Sequence, residues 1–456
     1  MLTSIKKRRF QLSTTHIILL SFLFAIFAGT ILLCLPISSA NGQSVNFIDA
    51  LFTATTSTCV TGLVTVPTVS TWSTFGHVVI LCLIQIGGLG IITIMSALMI
   101  MLHRKMGIGD QLLLQDAFNL NSLSGLSNFV KKVVVGTLIV EGVGALGYMT
   151  VFIPEFGFKG IWISVFTSIS AFCNAGIDII AENSLCNYAT NPIINIVTCC
   201  LIIFGGIGYI VWWDIIRLIK LSKVKSVRFF RDLTLHSKIA ITTTLILIIA
   251  GAWLIFIFEY NNPQTLQNYS LFEKIEISLF QSVTTRTAGF ATIPQENLTN
   301  ASSIICLLLM FIGGSPVGTA GGVKTVTIAV IVAAAIASIC NKEETDMFDR
   351  RLSKRAIIKA LSVVGMSFTI MFASTVALSA VTNANAIDIM YETVSATATV
   401  GLTRNLTPSL NAIGKIIIIL TMYLGRVGPI SLAASFSKKK ENHNLIINPT
   451  EDVSVG

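Results

Sequence analysis

Four short stretches of the sequence combine residue types that could bind an ion. Each is a run of serine, threonine and small residues that closes on a glycine and one apolar residue, and the glycines are Gly62, Gly176, Gly289 and Gly401. They lie 114, 113 and 112 residues apart, which indicates four copies of one unit. Backbone carbonyls aimed at one axis can replace the hydration shell of a cation, and glycine permits the backbone angles that this requires. We therefore predict four loops that form stacked rings of carbonyl oxygens.

The predicted ion-binding residues of this selectivity filter are the glycine of each stretch and the two residues before it: Val60, Thr61, Gly62, Asn174, Ala175, Gly176, Thr287, Ala288, Gly289, Thr399, Val400 and Gly401. None is a carboxylate, which disfavours a calcium-type ring and favours a monovalent cation held through backbone carbonyls. Close helix packing would explain one such glycine, but it does not explain four at even spacing. The segment from Ser278 to Gly289 is one residue shorter than the corresponding segment from Ser164 to Gly176. The sequence therefore leaves open which carbonyls of the third loop align with those of the other three.

The composition is that of an integral membrane protein. Hydrophobic residues make up 53% of the chain and charged residues 12%, with a mean hydropathy of +0.79, whereas soluble domains are about a quarter charged. The nine cysteines are scattered without metal-ligand spacing, and their odd number argues against a disulfide framework. The basic run 6–9 precedes an apolar segment without a cleavage site, which favours a retained first span.

Two charge-poor segments long enough to cross about 30 Å of hydrocarbon occur in each repeat: 16–36, 75–102, 133–153, 193–213, 239–258, 302–340, 357–383 and 412–436. Between the members of each pair lies a shorter apolar segment: 47–58, 161–172, 275–285 or 387–397. We predict that these segments enter the membrane and turn back, since non-helical backbone at that depth must be buried in protein or line water. The predicted fold is an all-α integral membrane protein with four units of outer helix, re-entrant pore loop and inner helix, eight spans in all, around one central pore per protomer. The predicted divisions are repeats 10–103, 130–221, 236–341 and 356–437, and a cytoplasmic tail 438–456.

The distribution of lysine and arginine predicts the orientation. With the N-terminus inside, 24 of these residues fall on the inner surface and five on the outer: Lys159, Lys274, Arg286, Arg404 and Lys415. This strong positive-inside bias places both termini in the cytoplasm and explains the net charge of +9 without a nucleic acid partner. Because each repeat crosses twice, successive repeats share one orientation, which favours a pore over an inverted-repeat carrier.

The inner segments carry a second repeated feature. The glycine pairs 87–88, 205–206 and 313–314 correspond in the fourth unit to Gly425-Arg426. An arginine at mid-membrane costs about 2.5–3.5 kcal/mol on insertion scales and normally faces a polar cavity. Below a cation filter it would form an electrostatic barrier; pairing of Arg426 with a carboxylate such as Glu141 is the alternative. For Glu141 itself, pairing and a functional role are both open.

The third inner segment is interrupted. Residues 313–322 include five glycines and a proline, and both residue types disfavour a helix interior. We predict two half-helices joined by an intramembrane loop that acts as a gate below the filter. The predicted gate residues are Gly313, Gly314, Ser315, Pro316, Gly318, Thr319, Gly321, Gly322, Lys324 and Arg426.

Three motifs together resemble those of the Trk/Ktr/HKT superfamily of potassium transporters. They are Val60-Thr61-Gly62-Leu63, the glycine-rich loop continuing to Lys324-Thr325, and Gly425-Arg426-Val427-Gly428-Pro429. The resemblance covers nearly the whole chain. Because the chain begins directly with the first outer helix, it is similar to the KtrB-type membrane subunits of bacterial Ktr systems.

The resemblance implies potassium uptake, often stimulated by sodium, across the bacterial inner membrane. It implies a homodimer with one pore per protomer, resting in the lipid bilayer on a cytosolic ring of nucleotide-binding regulatory subunits of the KtrA type. These sense ATP or ADP and, in some systems, cyclic di-AMP. Potassium ion would be the substrate, with no cofactor in this chain and sodium ion as an activator. In the family the glycine-rich loop is the gate, the inner-helix arginine limits permeation, and glycine at the position of Gly62 goes with potassium preference.

Three other functions were weighed. A sodium-selective or poorly selective cation transporter would use the same scaffold. A solute symporter is disfavoured by the number of crossings and by the lack of a polar substrate pocket. An enzyme is disfavoured because the five histidines lack HExxH-like spacing.

Overall fold

The computed structural model of the chain describes residues 14–102, 126–222 and 228–428. In this part the helices are joined by loops and by one two-stranded antiparallel hairpin, in which Asp346–Met347 pairs with Arg350–Arg351. The elements recur as outer helix, pore helix and inner helix, in four consecutive units numbered here 1 to 4. The predicted tail 438–456 and the basic run 6–9 lie outside the described residues.

The four outer helices are long and apolar. They are Thr14–Cys34, Leu126–Phe156, Leu235–Glu259 and Lys354–Ser379. Each contains a segment apolar enough to cross a membrane, and only 33%, 33%, 22% and 6% of those segments, respectively, is buried inside the protein. Since large apolar side chains cover the remaining surface, these helices present their outward faces to lipid, as expected of a multi-pass membrane protein.

The four pore helices are short, and the ends that lead into the filter are buried. They are Phe47–Cys59, Lys159–Cys173, Leu271–Thr284 and Ala386–Ala398. With 13 to 15 residues each, they extend about 20 Å, too little to cross the hydrocarbon core. Each ends one to three residues before the left-handed residue of its filter, so the filter segments lie within the protein, as the re-entrant arrangement predicts.

The inner segments differ from the prediction in units 1 and 2. The inner helices are Thr74–Leu89, Pro192–Gly206, Asn300–Phe311 and Ala412–Val427, and the first three continue into Ile91–Met101, Tyr209–Ser222 and Thr325–Ile339. The first two pairs bend by 99° and 97°, so the prediction of continuous spans 75–102 and 193–213 was wrong. The cause is glycine: Gly90 and Gly208 have φ of 85° and 92°, a backbone that cannot continue a right-handed helix. The predicted break in unit 3 is present.

Ion pairs on the outer side join the units. Arg404 Nε contacts Asp388 Oδ1 at 2.7 Å within unit 4, while its Nη1 donates to Gln295 O and Ser303 Oγ of unit 3 at 2.9 and 2.7 Å. Lys415 Nζ of unit 4 contacts Asp49 Oδ1 of unit 1 at 2.6 Å. The fourth unit is thus tied to both of its neighbours.

Short helical turns complete the outer connections: Pro36–Ser38, Thr68–Thr71, Cys186–Tyr188, Gln295–Asn297 and Thr407–Ser409; Phe229–Asp232 precedes outer helix 3.

Candidate cation filter and gate

The four predicted filter segments share one unusual backbone conformation. The residue two positions before each glycine is left-handed: Val60, Asn174, Thr287 and Thr399 have φ of 55°, 60°, 70° and 52°. The glycines that follow have positive φ between 62° and 101°. Valine and threonine rarely adopt this backbone, and each such residue costs about 1–3 kcal/mol. Strain repeated at the same position in four units indicates a function that requires this shape.

The four glycines close a ring. Each packs against the carbonyl oxygen of the residue that precedes the glycine of the next unit. The contacts are Gly62 with Ala175, Gly176 with Ala288, Gly289 with Val400 and Gly401 with Thr61. A Cβ atom on Gly62 would lie 2.5 Å from its partner oxygen, closer than a side chain can approach. Because unit 4 contacts unit 1 as unit 1 contacts unit 2, the segments surround one axis in chain order, and the four carbonyl oxygens lie at the glycine ring.

Hydroxyl groups on the pore helices hold three of the strained segments. The pairs are Gly62 N–H to Thr56 Oγ1 at 2.9 Å, Ile177 N–H to Ser170 Oγ at 3.1 Å, and Gly401 N–H to Ser395 Oγ at 3.0 Å. These bonds satisfy amide groups that the left-handed turn removes from the helix. The serine and threonine enrichment of the stretches therefore has a structural role beside the carbonyls.

Unit 3 reaches the same geometry with one residue fewer. Ala288 N–H donates to the carbonyl of Thr284, four positions back, at 2.9 Å, whereas the matching bonds of units 1, 2 and 4 span five positions. Thr287 and Gly289 nevertheless keep the positive φ of their counterparts. The one-residue difference in length is accommodated at the end of the pore helix, where this hydrogen bond spans four positions and not five. The third loop thus has the same backbone register as the others.

Several polar side-chain atoms at the filter are buried without a hydrogen-bond partner among the described residues. They are Thr58 Oγ1, Thr61 Oγ1, Thr399 Oγ1, and both amide atoms of Asn174. Buried polar atoms are nearly always hydrogen bonded, so an unpartnered group at this place requires an explanation. Water molecules beside the filter would supply the missing partners.

The glycine-rich loop packs directly against the filter. All the predicted gate residues except Arg426 lie between Phe311 and Thr325, where the two helices of inner segment 3 are separated. Gly321 N–H donates to Thr287 Oγ1 at 3.1 Å, and Thr319 Oγ1 donates to the carbonyl of Phe172 at 2.9 Å. The loop therefore touches the ends of pore segments from two units, and any displacement of it changes the space next to the ring.

Arg426 is bound to the loop and not to a carboxylate. Its Nη1 donates to the carbonyl of Thr319 at 2.8 Å and its Nη2 to the carbonyl of Gly87 at 2.6 Å. Glu141 instead accepts a hydrogen bond from Gln85 Nε2 at 3.2 Å. Within the described residues Arg426 has no acidic partner, so the alternative pairing with Glu141 was wrong.

Lys324 adds a second cation at the same place. Its Nζ donates to the carbonyl of Ala320 at 2.6 Å and more weakly to that of Gly321 at 3.4 Å. Arg426 and Lys324 thus bind two consecutive carbonyls of one loop, those of Thr319 and Ala320. Positive charge is therefore concentrated next to the filter, and the contacts that these two side chains make within the described residues are to backbone carbonyls.

Arg286 was placed wrongly by sequence reasoning. It was counted with the outer-surface charges, but it is buried, and its Nη2 donates to the carbonyl of Gly313 at 3.3 Å and to Thr244 Oγ1 at 3.4 Å. It therefore contacts the start of the glycine-rich loop. The available signal was its position: it is the one charged residue inside any of the four filter stretches.

The chain is similar along its whole length to cation transport proteins. The sequence model of the family described as "TrkH: Cation transport protein" matches residues 4–446. The potassium/sodium uptake protein NtpJ of Enterococcus hirae is 37% identical, with 100% of both chains covered, and the Ktr system potassium uptake protein B of Bacillus subtilis is 38% identical, with 94% of both covered. The crystal structure of the potassium transporter TrkH from Vibrio parahaemolyticus matches with a TM-score of 0.75 and 14% identity, over 95% of this chain and 86% of that one. At that identity the structural likeness concerns the fold alone.

The ring geometry makes a prediction for Gly176→Ala. The new Cβ would lie 2.6 Å from the carbonyl oxygen of Ala288, at a backbone φ of 62°, so we expect a loss of about 1–3 kcal/mol or more and a lower thermal unfolding midpoint of the purified protein. Gly365→Ala is the matched control, because nothing lies within 4 Å of its Cβ position in a helix interior. It should leave the midpoint unchanged or raise it slightly. Equal effects of the two substitutions would contradict a packed glycine ring.

Proposed function

The chain belongs to the TrkH family of cation transport proteins, and on that premise we propose that it is the potassium-translocating membrane subunit of a Ktr-type uptake system. The observation that carries the proposal is the closed ring: four left-handed segments, one per unit, in cyclic contact. A ring of four backbone carbonyls presents dipoles and no net charge, which suits a dehydrated monovalent cation. The potassium uptake named for the Bacillus subtilis relative supports the choice of ion.

Selectivity is proposed to depend on the four glycines. Because Gly62 has no side chain, the carbonyl of Ala175 can approach to the distance that the ring requires. A serine there would displace that oxygen or replace it with a hydroxyl, and so change the radius of the ring. The carbonyls of Val60, Asn174, Thr287 and Thr399 are proposed to form the adjacent ring, since their backbones are turned alike.

The glycine-rich loop is proposed to be the gate, held closed by cationic side chains. Arg426 binds the loop at Thr319 and the loop's own Lys324 binds it at Ala320, while Arg286 binds it at Gly313. Hydrogen bonds from charged groups contribute about 1.5–3 kcal/mol each. Their positive charges also repel a cation that leaves the filter. Opening would then require the loop to exchange these bonds for others.

The system-level features are also proposals. The name "Ktr system potassium uptake protein B" of two relatives supports a multi-component system with a separate subunit. The homodimer and the cytosolic ring of nucleotide-binding subunits of the KtrA type are proposed from the family resemblance. Sodium stimulation, location in the bacterial inner membrane and cytoplasmic termini rest on the family resemblance and on the positive-inside bias of the sequence. The helices Ile91–Met101 and Tyr209–Ser222, which leave their inner helices at nearly right angles, offer a surface for such a partner.

A second candidate is a transporter that accepts both sodium and potassium on the same scaffold. The specific observation in its favour is the relative from Enterococcus hirae, which is named a potassium/sodium uptake protein and is 37% identical over the full chain. The two candidates share the filter and the gate. They differ only in the ion preference of the ring.

We predict that Gly62→Ser lowers potassium preference. In bacteria that lack their own potassium uptake, the wild-type chain with a cognate regulatory subunit should restore growth and rubidium uptake at low external potassium. Gly62→Ser should reduce the potassium-to-sodium uptake ratio about tenfold or more, because about 1.4 kcal/mol of lost differential binding corresponds to a factor of ten. Gly365→Ala should behave as wild type. A wild-type ratio near one would favour the second candidate, and an unchanged ratio in Gly62→Ser would exclude the ring as the selective element.

Removal of the cations that hold the loop should speed transport. We expect Arg426→Gln to raise the rate of rubidium uptake into proteoliposomes and to weaken its dependence on the regulatory subunit, since two hydrogen bonds of 2.6 and 2.8 Å are lost. Arg286→Gln should act in the same direction but less, because its bonds are 3.3 and 3.4 Å long. Arg355→Gln, an exposed arginine on outer helix 4, is the control. Slower uptake by well-inserted Arg426→Gln would argue against a gate held closed by this side chain.

A further inference from the structure

An open groove lies beside the base of outer helix 2, away from the filter. Its volume is about 470 Å³, and it is lined by Lys131 and Lys132 of the outer helix and by Trp212 and Trp213 of the bent part of inner segment 2. Gly136 lies beside the Trp212 ring, and a Cβ there would be in ordinary contact with the ring at 3.4 Å. The rest of the lining is aliphatic. The groove thus combines a long apolar wall with a basic end.

Its position matches the inner membrane interface. Outer helix 2 exposes a stripe of large apolar side chains that begins next to the two lysines: Val135, Leu138, Ile139, Val143 and Leu146 are 55–65% exposed. In a membrane-spanning helix such a stripe is covered by lipid tails. Lys131 and Lys132 stand at its cytoplasmic end, according to the positive-inside bias, where tryptophan and lysine side chains meet the headgroup region.

The charges in and near the groove are not balanced by protein carboxylates. Among the described residues neither Lys131 nor Lys132 forms an ion pair, and Lys132 Nζ lies 5.6 Å from the centroid of the Trp213 ring. Asp214, the carboxylate on the same helix as the tryptophans, is already bound by Arg217 at 2.6 Å and by the N–H of Thr234 at 2.8 Å. Two lysines therefore remain available to an anion.

We propose that the groove binds an anionic phospholipid of the inner leaflet. Its phosphate contacts Lys131 and Lys132, and an acyl chain follows the apolar wall past Gly136. Basic pockets between membrane helices on the cytoplasmic side are suited to such headgroups. A zwitterionic lipid offers the same acyl chain but no net charge to the lysine pair, so the site discriminates by charge.

The bound lipid would act on the gate through a short path. Tyr209, the first residue of the helix that carries both tryptophans, donates its N–H to the carbonyl of Val317 in the glycine-rich loop at 2.9 Å. Gly208 before it packs against the carbonyl of Pro316. The orientation of this helix and the position of the loop are therefore linked. Occupation of the groove stabilises the helix and with it one arrangement of the loop.

The test is tryptophan quenching of the full-length protein by brominated phospholipids. We would use Trp253→Phe as the background, since Trp253 is 64% exposed and would be quenched by any lipid. In mixed micelles, quenching should reach half its maximum at several-fold less brominated phosphatidylglycerol than brominated phosphatidylcholine. Lys131→Gln/Lys132→Gln should abolish this difference, while the matched pair Lys354→Gln/Arg355→Gln, also basic and exposed, should keep it. Trp212→Phe/Trp213→Phe should remove the quenched signal itself.

One further variant and one change of conditions guard against misfolding as an explanation. Lys131→Arg/Lys132→Arg keeps the charge and should keep the preference for phosphatidylglycerol. Added salt should weaken that preference in wild type. Equal quenching of wild type by the two lipids would overturn the proposal, as would a preference that survives in the glutamine pair. Loss of the preference in the arginine pair would show that positive charge does not select the lipid, and would overturn it as well.

Discussion

The structure depends on a backbone strain that is imposed four times. A left-handed residue followed two positions later by a glycine of positive φ turns successive carbonyls to one side. Only a surrounding structure that over-determines this shape can maintain it in valine and threonine. The pore helices, the hydroxyl anchors and the neighbour contacts of the glycines all serve that end. The outer helices then shield the assembly from lipid.

A second constraint follows from the first. Rings of four uncharged carbonyls would attract a cation but would not stop it, so we place the proposed control of permeation in the next layer. There, Arg426, Lys324 and Arg286 each donate to a backbone carbonyl of one glycine-rich loop. The two arginines also donate to Gly87 O and Thr244 Oγ1, respectively. Glycine at Gly321 is required by the contact with the filter, since a Cβ there would overlap Thr399 Oγ1. Filter and gate are therefore one packed unit.

The features that follow from the internal repeat and from the hydrophobic pattern could be predicted from the sequence. The even spacing of four glycines identified the segments that the structure brings into one ring, and the glycine and proline content of 313–322 identified the broken inner segment. The bends at Gly90 and Gly208 were missed, because a glycine in an apolar segment has the same composition whether it packs a helix or ends it. Only its φ distinguishes the two.

Charged residues were harder to place than apolar ones. Arg286 was assigned to the outer surface because it follows a pore segment, yet its side chain reaches Gly313 on the loop. Such pairing depends on contacts between distant parts of the chain, which composition and periodicity do not encode. The same holds for Arg426, whose partners Thr319 and Gly87 are 107 and 339 residues away. The lysine and tryptophan groove likewise lies between two helices of unit 2 that no local sequence pattern connects.

The central claim is that the carbonyls before the four glycines coordinate a dehydrated monovalent cation. The most direct measurement is an anomalous difference map from crystals of the full-length protein grown with rubidium ion in place of potassium. The account predicts a peak on the axis of the ring, among the carbonyl oxygens of Thr61, Ala175, Ala288 and Val400. Well-ordered filter density without such a peak, together with rubidium bound only at carboxylates elsewhere, would contradict it.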